Sequence, residues 1–430
     1  MGSARILGMD PRNGWMPGPA FVVGYNDGLV ERLRESRLLS TDTLMNSPHR
    51  NTLTQMMSLQ ATVEPIRDFR IEITASQNNQ SREEYYYKFM SQLDDVEGPL
   101  SYVMTGTYTT SCWSMATAFA DPDKLYKQFI SSRRVIADRL AAANPDARCD
   151  QLIQDTMSGE YFPFGYGPNQ QTVLLTSFLS TYLGKDAAGY GFSPFMGLPL
   201  PNWSINYNGL NKVSWLKKWF TNISLSHRYS STYSIGNYYT DAAISGREGY
   251  DYGKETVLNG SDDFVAPMSM ESVQISEQFN PLIRLAVSMT NSVQLNLSVQ
   301  RNRTLSLSFS NNQLTETTRR SITFGGGYRF KDVAFDVKVG ESVQHLKSDI
   351  VLQLNLSYNS NKTHIRKINQ GVSQVSSGSE VWMAELSAEY ALSTSLTLRA
   401  FFQTNINNPY IRNAYPNSTT KGGITVRFSF

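Results

Sequence analysis

Cysteine occurs twice in 430 residues and histidine four times. Cys112 and Cys149 are too few for a thiolate metal centre, and nothing in the sequence brings them together, so two unpaired thiols are expected. His49, His227, His345 and His364 stand apart from one another and from cysteine, which leaves no zinc-binding spacing. Charge is scarce as well: Asp, Glu, Lys and Arg make up 18%, against roughly 25% in an ordinary soluble domain. The net charge of +2 comes without a free-standing basic run, so no nucleic acid is expected as a partner. Long apolar runs are missing too. The nearest, Val173 to Leu183, is broken by Thr176, Ser177, Ser180 and Thr181, well short of the roughly 18 apolar residues of a spanning helix. Nucleophile elbow, P-loop and Rossmann fingerprints are absent, so the chain is expected to be no enzyme and to need no cofactor or metal.

Strand-period alternation is what remains. The last residues read KGGITVRFSF, with Ile424, Val426, Phe428 and Phe430 on one face and Thr425, Arg427 and Ser429 on the other. Upstream, Ile283, Leu285, Val287 and Met289 form one apolar face before a turn at Thr290-Asn291-Ser292. The next run keeps odd positions apolar from Val293 to Phe309, interrupted by Arg301 and Arg303, where it is expected to leave hydrocarbon. Further runs hold residues 322–330, 333–339, 350–358, 382–392 and 396–402, with turns read at Asn359-Ser360-Asn361 and Ser393-Thr394-Ser395. Eight to ten such runs are expected in the last 150 residues, each near the roughly 9 to 11 residues of a tilted membrane strand. Tyr358, Tyr390, Phe402 and Phe430 fall near run ends, as an interfacial aromatic girdle would place them. Ser, Thr, Asn and Gln on the opposite faces suit a wet, weakly charged interior.

The first half is less regular. Phe69, Ile71, Ile73 and Ala75 alternate, and residues 102–119 hold a second strand. Asp121 caps a predicted helix over residues 121–144, with Pro122 in its first turn and Leu125, Phe129, Val135, Ile136 and Leu140 at helical spacing. A surface helix within an insertion is expected, with a plug as the sharper alternative. His227, between Leu225 and Tyr229, reads as a wall residue. Asp262-Asp263 reads as a solvated loop rather than a calcium loop, because the spaced oxygen ligands are missing. Gly325-Gly326-Gly327 inside a strand marks a bend or close backbone approach.

Several blocks resemble the C-terminal region of the Sov/SprA family, the outer-membrane translocon of the type IX secretion system of Bacteroidetes. They are QQTVLLTSFLSTYLGKD from Gln170, PLPNWSINYNGLNKV from Pro199, ISLSHRYSSTYSIGNY from Ile223, RTLSLSFSNNQLTE from Arg303, FGGGYRFKDV from Phe324, and the closing NNPYIRNAYPNSTTKGGITVRFSF. The motif residues are Asn202, Trp203, Tyr207, Asn208, Gly209, His227, Tyr229 and Tyr233. Thr176 and Ser177 depart from the family pattern, which has Pro-Ala there. The resemblance implies a very large β-barrel that exports proteins carrying a C-terminal signal, with a link to gliding motility. It also implies partners: the cargo, a plug protein, an outer-membrane shuttle protein, and periplasmic or lipoprotein subunits.

The combined expectation is all-β: part of a transmembrane antiparallel β-barrel in the cell outer membrane, lying against the lipid bilayer, with helical and loop insertions in its N-terminal half. Barrel strands are expected over 1–120, a helical insertion over 121–212, and barrel strands again over 213–430, ending in a closing strand that carries an assembly signal. MGSARILGMDPRNGW lacks the n- and h-regions of a signal peptide, so the chain is expected to be the tail of a longer barrel, its upstream part lying elsewhere. A conventional porin or substrate-specific channel is the alternative.

Overall fold

A computed structural model of the chain describes residues 18–22, 47–85, 102–147, 151–155, 158–241, 243–244, 251–339, 342–392 and 396–428. Apart from one helical turn at Pro19–Val22, the helices are α1 (Pro122–Ala143) and α2 (Gln171–Tyr182). The strands are β1 (His49–Ile66), β2 (Phe69–Tyr85), β3 (Tyr102–Ser111), β4 (Leu152–Gln154), β5 (Tyr161–Pro163), β6 (Asn202–Tyr207), β7 (Phe220–Tyr239) and β8 (Ser269–Met270). They continue with β9 (Ser272–Met289), β10 (Val293–Ser308), β11 (Gln313–Val339), β12 (Ser342–Lys367), β13 (Val372–Ala391), β14 (Leu396–Pro409) and β15 (Asn417–Phe428).

All but β4 and β5 join one sheet of 13 strands, every neighbour antiparallel, in the order β1-β2-β3-β7 and then β9 to β15 in sequence. Most neighbours follow each other in the chain, so the alternation read from the sequence becomes a meander. Among the described residues β1 and β15 each have one neighbour, so the sheet has two edges.

β3 and β6 occupy one position in that wall. β3 descends beside β2 until Thr110 stands opposite Gln77, and β6 resumes the same line with Asn202 opposite Thr74. Both face β7 on the other side, Ser111 opposite Thr232 and Trp203 opposite Tyr229. They are two halves of one interrupted strand. The break is sealed where Leu200 N donates to Ser111 O at 2.9 Å and Ser111 Oγ donates back to Leu200 O at 2.6 Å. Everything between, residues 112–201, forms a lobe inserted into a single wall position. The sequence divided the chain near 120 and 212; the backbone leaves the wall after Ser111 and rejoins it at Asn202.

Within the lobe the expected helix forms as α1, its Asp121 side chain accepting from the backbone N–H of Asp123 at 2.9 Å and of Lys124 at 3.1 Å. α2 is buried on every side, which its near-continuous apolar sequence permits. Leu174, Leu175, Phe178 and Leu179 of α2 pack with Phe129 of α1 against Tyr233 and Ile235 of β7, Val273 and Ile275 of β9, and Leu305 and Leu307 of β10. Each such side chain contributes roughly 1.5–3 kcal/mol on burial, so this core holds the lobe against one end of the wall.

Three sequence expectations are corrected. Asn359-Ser360-Asn361 is no turn but the middle of β12, paired without interruption to β11 and β13. Its polarity marks the height at which the strand has left the apolar zone. The runs 322–330 and 333–339 are one strand, β11, with an irregularity between Phe330 and Val333. With β11 and β12 spanning 27 and 26 residues, seven strands rather than eight to ten fill the region from Ser272 onward. Gly325-Gly326-Gly327, read as marking a bend or close backbone approach, lies in unbroken register on both sides. The expected turn at residues 393–395 lies outside the described residues.

Candidate functional site

Strand pairing sorts the wall into two chemically different faces. Reading across the strands, one row runs Val287, Leu295, Gly326, Leu354, Leu386, Phe402 and Gly422. The rows above and below it hold Leu285, Leu297, Phe324 and Leu356, and Val293, Tyr328, Leu352, Ala388, Ala400 and Ile424. Many of these side chains are exposed, among them Leu295, Leu354, Leu386, Phe402 and, at 71%, Ile424. From Ile350 to Tyr358 this belt runs along nine residues of β12, within the roughly 9 to 11 of a tilted membrane strand. No Asp, Glu, Lys or Arg stands on it among the described residues. Isolated exposed leucines need no explanation, but an uncharged belt crossing a whole sheet is a surface meant for an apolar medium.

One step along any strand the chemistry reverses. The row beside the belt reads Asn296, Gly325, Asn355, Glu385, Gln403 and Lys421, and the next Ser298, Thr323, Ser357, Met383, Asn405 and Thr419. Charge on this face is sparse and partly paired, as in Arg399 with Glu385 at 2.8 Å.

Of the expected girdle, Tyr358 sits at the upper margin of the belt, its ring 4.5 Å from Trp382. Tyr390 is at the lower margin opposite Ile350. Phe402 lies in mid-belt opposite Leu386, not at an end. Ile424, Val426 and Phe428 lie on the belt face of β15, while Phe430 falls outside the described residues.

Above the belt the same face becomes the seat of the lobe. Arg301 and Arg303, which interrupt the apolar face of β10, mark where it leaves the belt and also hold the lobe. Arg303 is 2% exposed; its Nη2 lies 3.2 Å from Glu277 Oε2 of β9. Its Nη1 donates to Thr117 O at 2.9 Å and its Nη2 to Thr117 Oγ1 at 2.8 Å, gripping the short turn Met115–Thr117. Glu277 Oε1 accepts from Ser114 Oγ at 2.7 Å. Arg301 donates to Ala118 O and stacks over the Phe119 ring, 4.9 Å from its centroid. A second clamp forms where Arg366 of β12 meets Glu316 of β11 at 2.8 Å and Asp123 of α1 at 3.0 Å. The Arg366 guanidinium holds the Asp123 carboxyl below its ordinary range. Among the described residues the lobe's clamps and core therefore lie on the belt side of the wall.

Of the motif residues, Asn202, Trp203 and Tyr229 meet at the rejoining point. Trp203 stands opposite Tyr229 with rings 4.6 Å apart, and Tyr229 packs on Phe279 at 4.9 Å. Asn202 Oδ1 accepts from Ser231 N at 2.8 Å, bridging β6 to β7 across the break. Tyr233 is fully buried in the lobe core. Tyr207 and Gly209 end β6 at the opposite margin, and Asn208 N donates to Asp68 O at 3.0 Å. His227 is a wall residue, its Nδ1 2.6 Å from Leu282 O.

Loop residues 251–268 close the lobe. Asp263, expected in a solvated loop, accepts from Gly167 N at 2.7 Å, and burial pushes its carboxyl up to about 6. Glu255 accepts from Tyr166 OH at 2.6 Å and is likewise raised by burial. Cys112 is a free, buried thiol pushed up to about 11 by burial; Cys149 lies outside the described residues. Among the described residues no group of three or more His, Cys, Asp or Glu is placed to hold a metal ion.

The sequence missed the two clamps. Their only signal was a pair of arginines on an otherwise apolar strand face.

No protein-family profile matches the sequence, and no curated protein does. Among solved structures, the chain is similar to OmpT, an outer-membrane protein of Vibrio cholerae, in the in-vitro folded trimer form. That likeness has 10% identity, 89% of this chain and 98% of that one covered, and a TM-score of 0.22. A second OmpT structure gives 9% identity, 90% and 99% coverage, and a TM-score of 0.21. Neither likeness transfers any function to this chain.

Proposed function

We propose that the chain is a wall segment of an outer-membrane pore, its belt against lipid and its Ser/Thr/Asn/Gln face toward a water-filled lumen. The observation that carries this is the uncharged belt, as long as a tilted membrane strand requires and backed on the opposite face mostly by polar residues. In hydrocarbon every backbone N–H and C=O needs a partner, and long antiparallel strands supply one. A weakly charged polar lumen wets a passage without holding what passes through it. The resemblance to the Sov/SprA family supports the finer reading of a protein-conducting pore of type IX secretion and gliding motility. Its cargo would carry a C-terminal signal, and plug, shuttle and periplasmic or lipoprotein subunits would be its partners. No catalysis is needed for that role.

Paired single-cysteine variants test the wall. Gln353→Cys on the polar face is expected to react with a membrane-impermeant maleimide in intact outer membranes. Leu354→Cys, one residue on, is expected to resist it and to react with a lipid-soluble reagent. Equal labelling of both by the impermeant reagent would sink the membrane reading. Deleting the gene segment then separates the finer readings: loss of many secreted signal-bearing proteins supports the translocon, and loss of one small-molecule uptake supports the substrate-specific channel.

A further inference from the structure

Residues 208–219, which join β6 to β7, lie at the end of the wall away from the lobe, the end at which β1–β2 and β9–β10 are joined by short turns. Outer-membrane barrels carry short turns on the periplasmic side, whose leaflet is phospholipid. The segment reads NGLNKVSWLKKW. Lys217 N donates to Val213 O at 3.0 Å and Phe220 N to Leu216 O at 2.9 Å, so residues 213–220 coil in helical turns. Trp215 and Trp219, both in these turns, are 66% and 62% exposed. Trp219 O accepts from Thr290 N at 3.0 Å and so is pinned to the β9–β10 turn.

In the same corner a cleft of about 410 Å³ opens between Lys212, Lys217, Phe220, Thr221 and Thr290. Lys212 is ion-paired with Asp68. Lys217 has no carboxylate partner among the described residues, so the cleft keeps a positive charge. The apolar belt begins at its lip, where Phe220 stands opposite Met289. Exposed tryptophan and lysine at the margin of an apolar belt are the side chains that sit at headgroup level in a membrane.

We propose that this corner is a binding site for the phosphodiester headgroup of an anionic phospholipid. The Lys217 ammonium meets the phosphate in the cleft, Trp215 and Trp219 lie among the headgroups, and Phe220 faces the first acyl carbons. The proposal rests on the lipid-facing reading of the belt. Free phosphate would suit the ammonium equally, but it gives the two exposed indoles nothing to lie against.

Native mass spectrometry of the protein extracted from outer membranes in mild detergent tests it, with phosphatidylglycerol, phosphatidylethanolamine or inorganic phosphate added. The unaltered protein is expected to retain phosphatidylglycerol over phosphatidylethanolamine by about fivefold, the effect of one lysine near a membrane surface. Lys217→Gln is expected to abolish that preference. The double variant Trp215→Ala, Trp219→Ala should lose both lipids, while Lys127→Gln on the exposed face of α1 should change nothing. Equal retention of the two lipids, or an unchanged preference in Lys217→Gln, overturns the site. Displacement of the lipid by an equal concentration of inorganic phosphate overturns the lipid assignment. A protein absent from the outer-membrane fraction overturns the belt reading and this site together; one that is present yet indifferent to headgroup overturns the site alone.

Discussion

Arg303 stands on a strand face that below Arg301 carries only valine and leucine, and its burial there has to be matched by partners. Glu277 supplies charge, and Thr117 supplies a carbonyl and a hydroxyl. Taking one member from a buried pair strands the other and costs roughly 3–5 kcal/mol, whereas replacing both by apolar side chains of similar volume is often close to neutral. Arg303→Ala is therefore expected to loosen the lobe by that amount and to expose residues 112–201 to limited proteolysis while the belt strands stay protected. The double variant Arg303→Met, Glu277→Leu should recover much of the loss. Recovery by neither protease resistance nor amide exchange would mean that the grip on Thr117, not the charge pair, holds the lobe. Little of this was legible beforehand: Thr117, Glu277 and Arg303 lie far apart in the chain, and only the interruption of the apolar pattern at Arg301 and Arg303 hinted that something must cover them.

At the scale of elements, strand alternation was legible because a side chain's face depends only on the parity of its position. The interrupted strand was not legible. Tyr102–Ser111 reads as a strand of its own, Asn202–Tyr207 is too short to announce itself as a spanning strand, and their continuity exists only through shared partners on β2 and β7. Asn359-Ser360-Asn361 misled for a related reason, since polar residues end a belt as readily as they make a turn. The loop that closes the lobe carries its own pH response. Asp263 has a carboxyl raised to about 6 from an ordinary 3.8, burial outweighing the Gly167 N–H that would lower it. The folded loop then binds a proton more tightly than the unfolded one. Its contribution is full below about pH 4 and is lost as pH rises through about 6. Amide protection at Gly167 and Phe264, corrected for intrinsic exchange, is expected to fall across that window. Asp263→Asn keeps the acceptor for Gly167 N and should flatten the profile; a profile that keeps its slope in that variant would place the titration elsewhere.

For the whole molecule the decisive quantity is parity. β3 and β6 share one position and β8 adds only a two-residue flank to β7, so the wall is eleven strands wide. With every neighbour antiparallel, positions one and eleven run in the same direction. β1 and β15 therefore cannot close on each other antiparallel. Single-chain bacterial barrels have even strand numbers for this reason. Open edges are not tolerated in hydrocarbon, so on the proposed membrane reading an antiparallel closure needs an odd number of further strands between β1 and β15. Belt-face cysteines give the test. Ala61→Cys or Val63→Cys on β1, combined with Ile424→Cys or Val426→Cys on β15, is expected to yield no disulfide within the chain in outer membranes. The chain expressed on its own behind a signal peptide is expected to give no compact, heat-modifiable form on a gel. A β1–β15 disulfide together with such a form would show the two edges meeting in parallel, and the pore would be no wider than the eleven strand positions seen here.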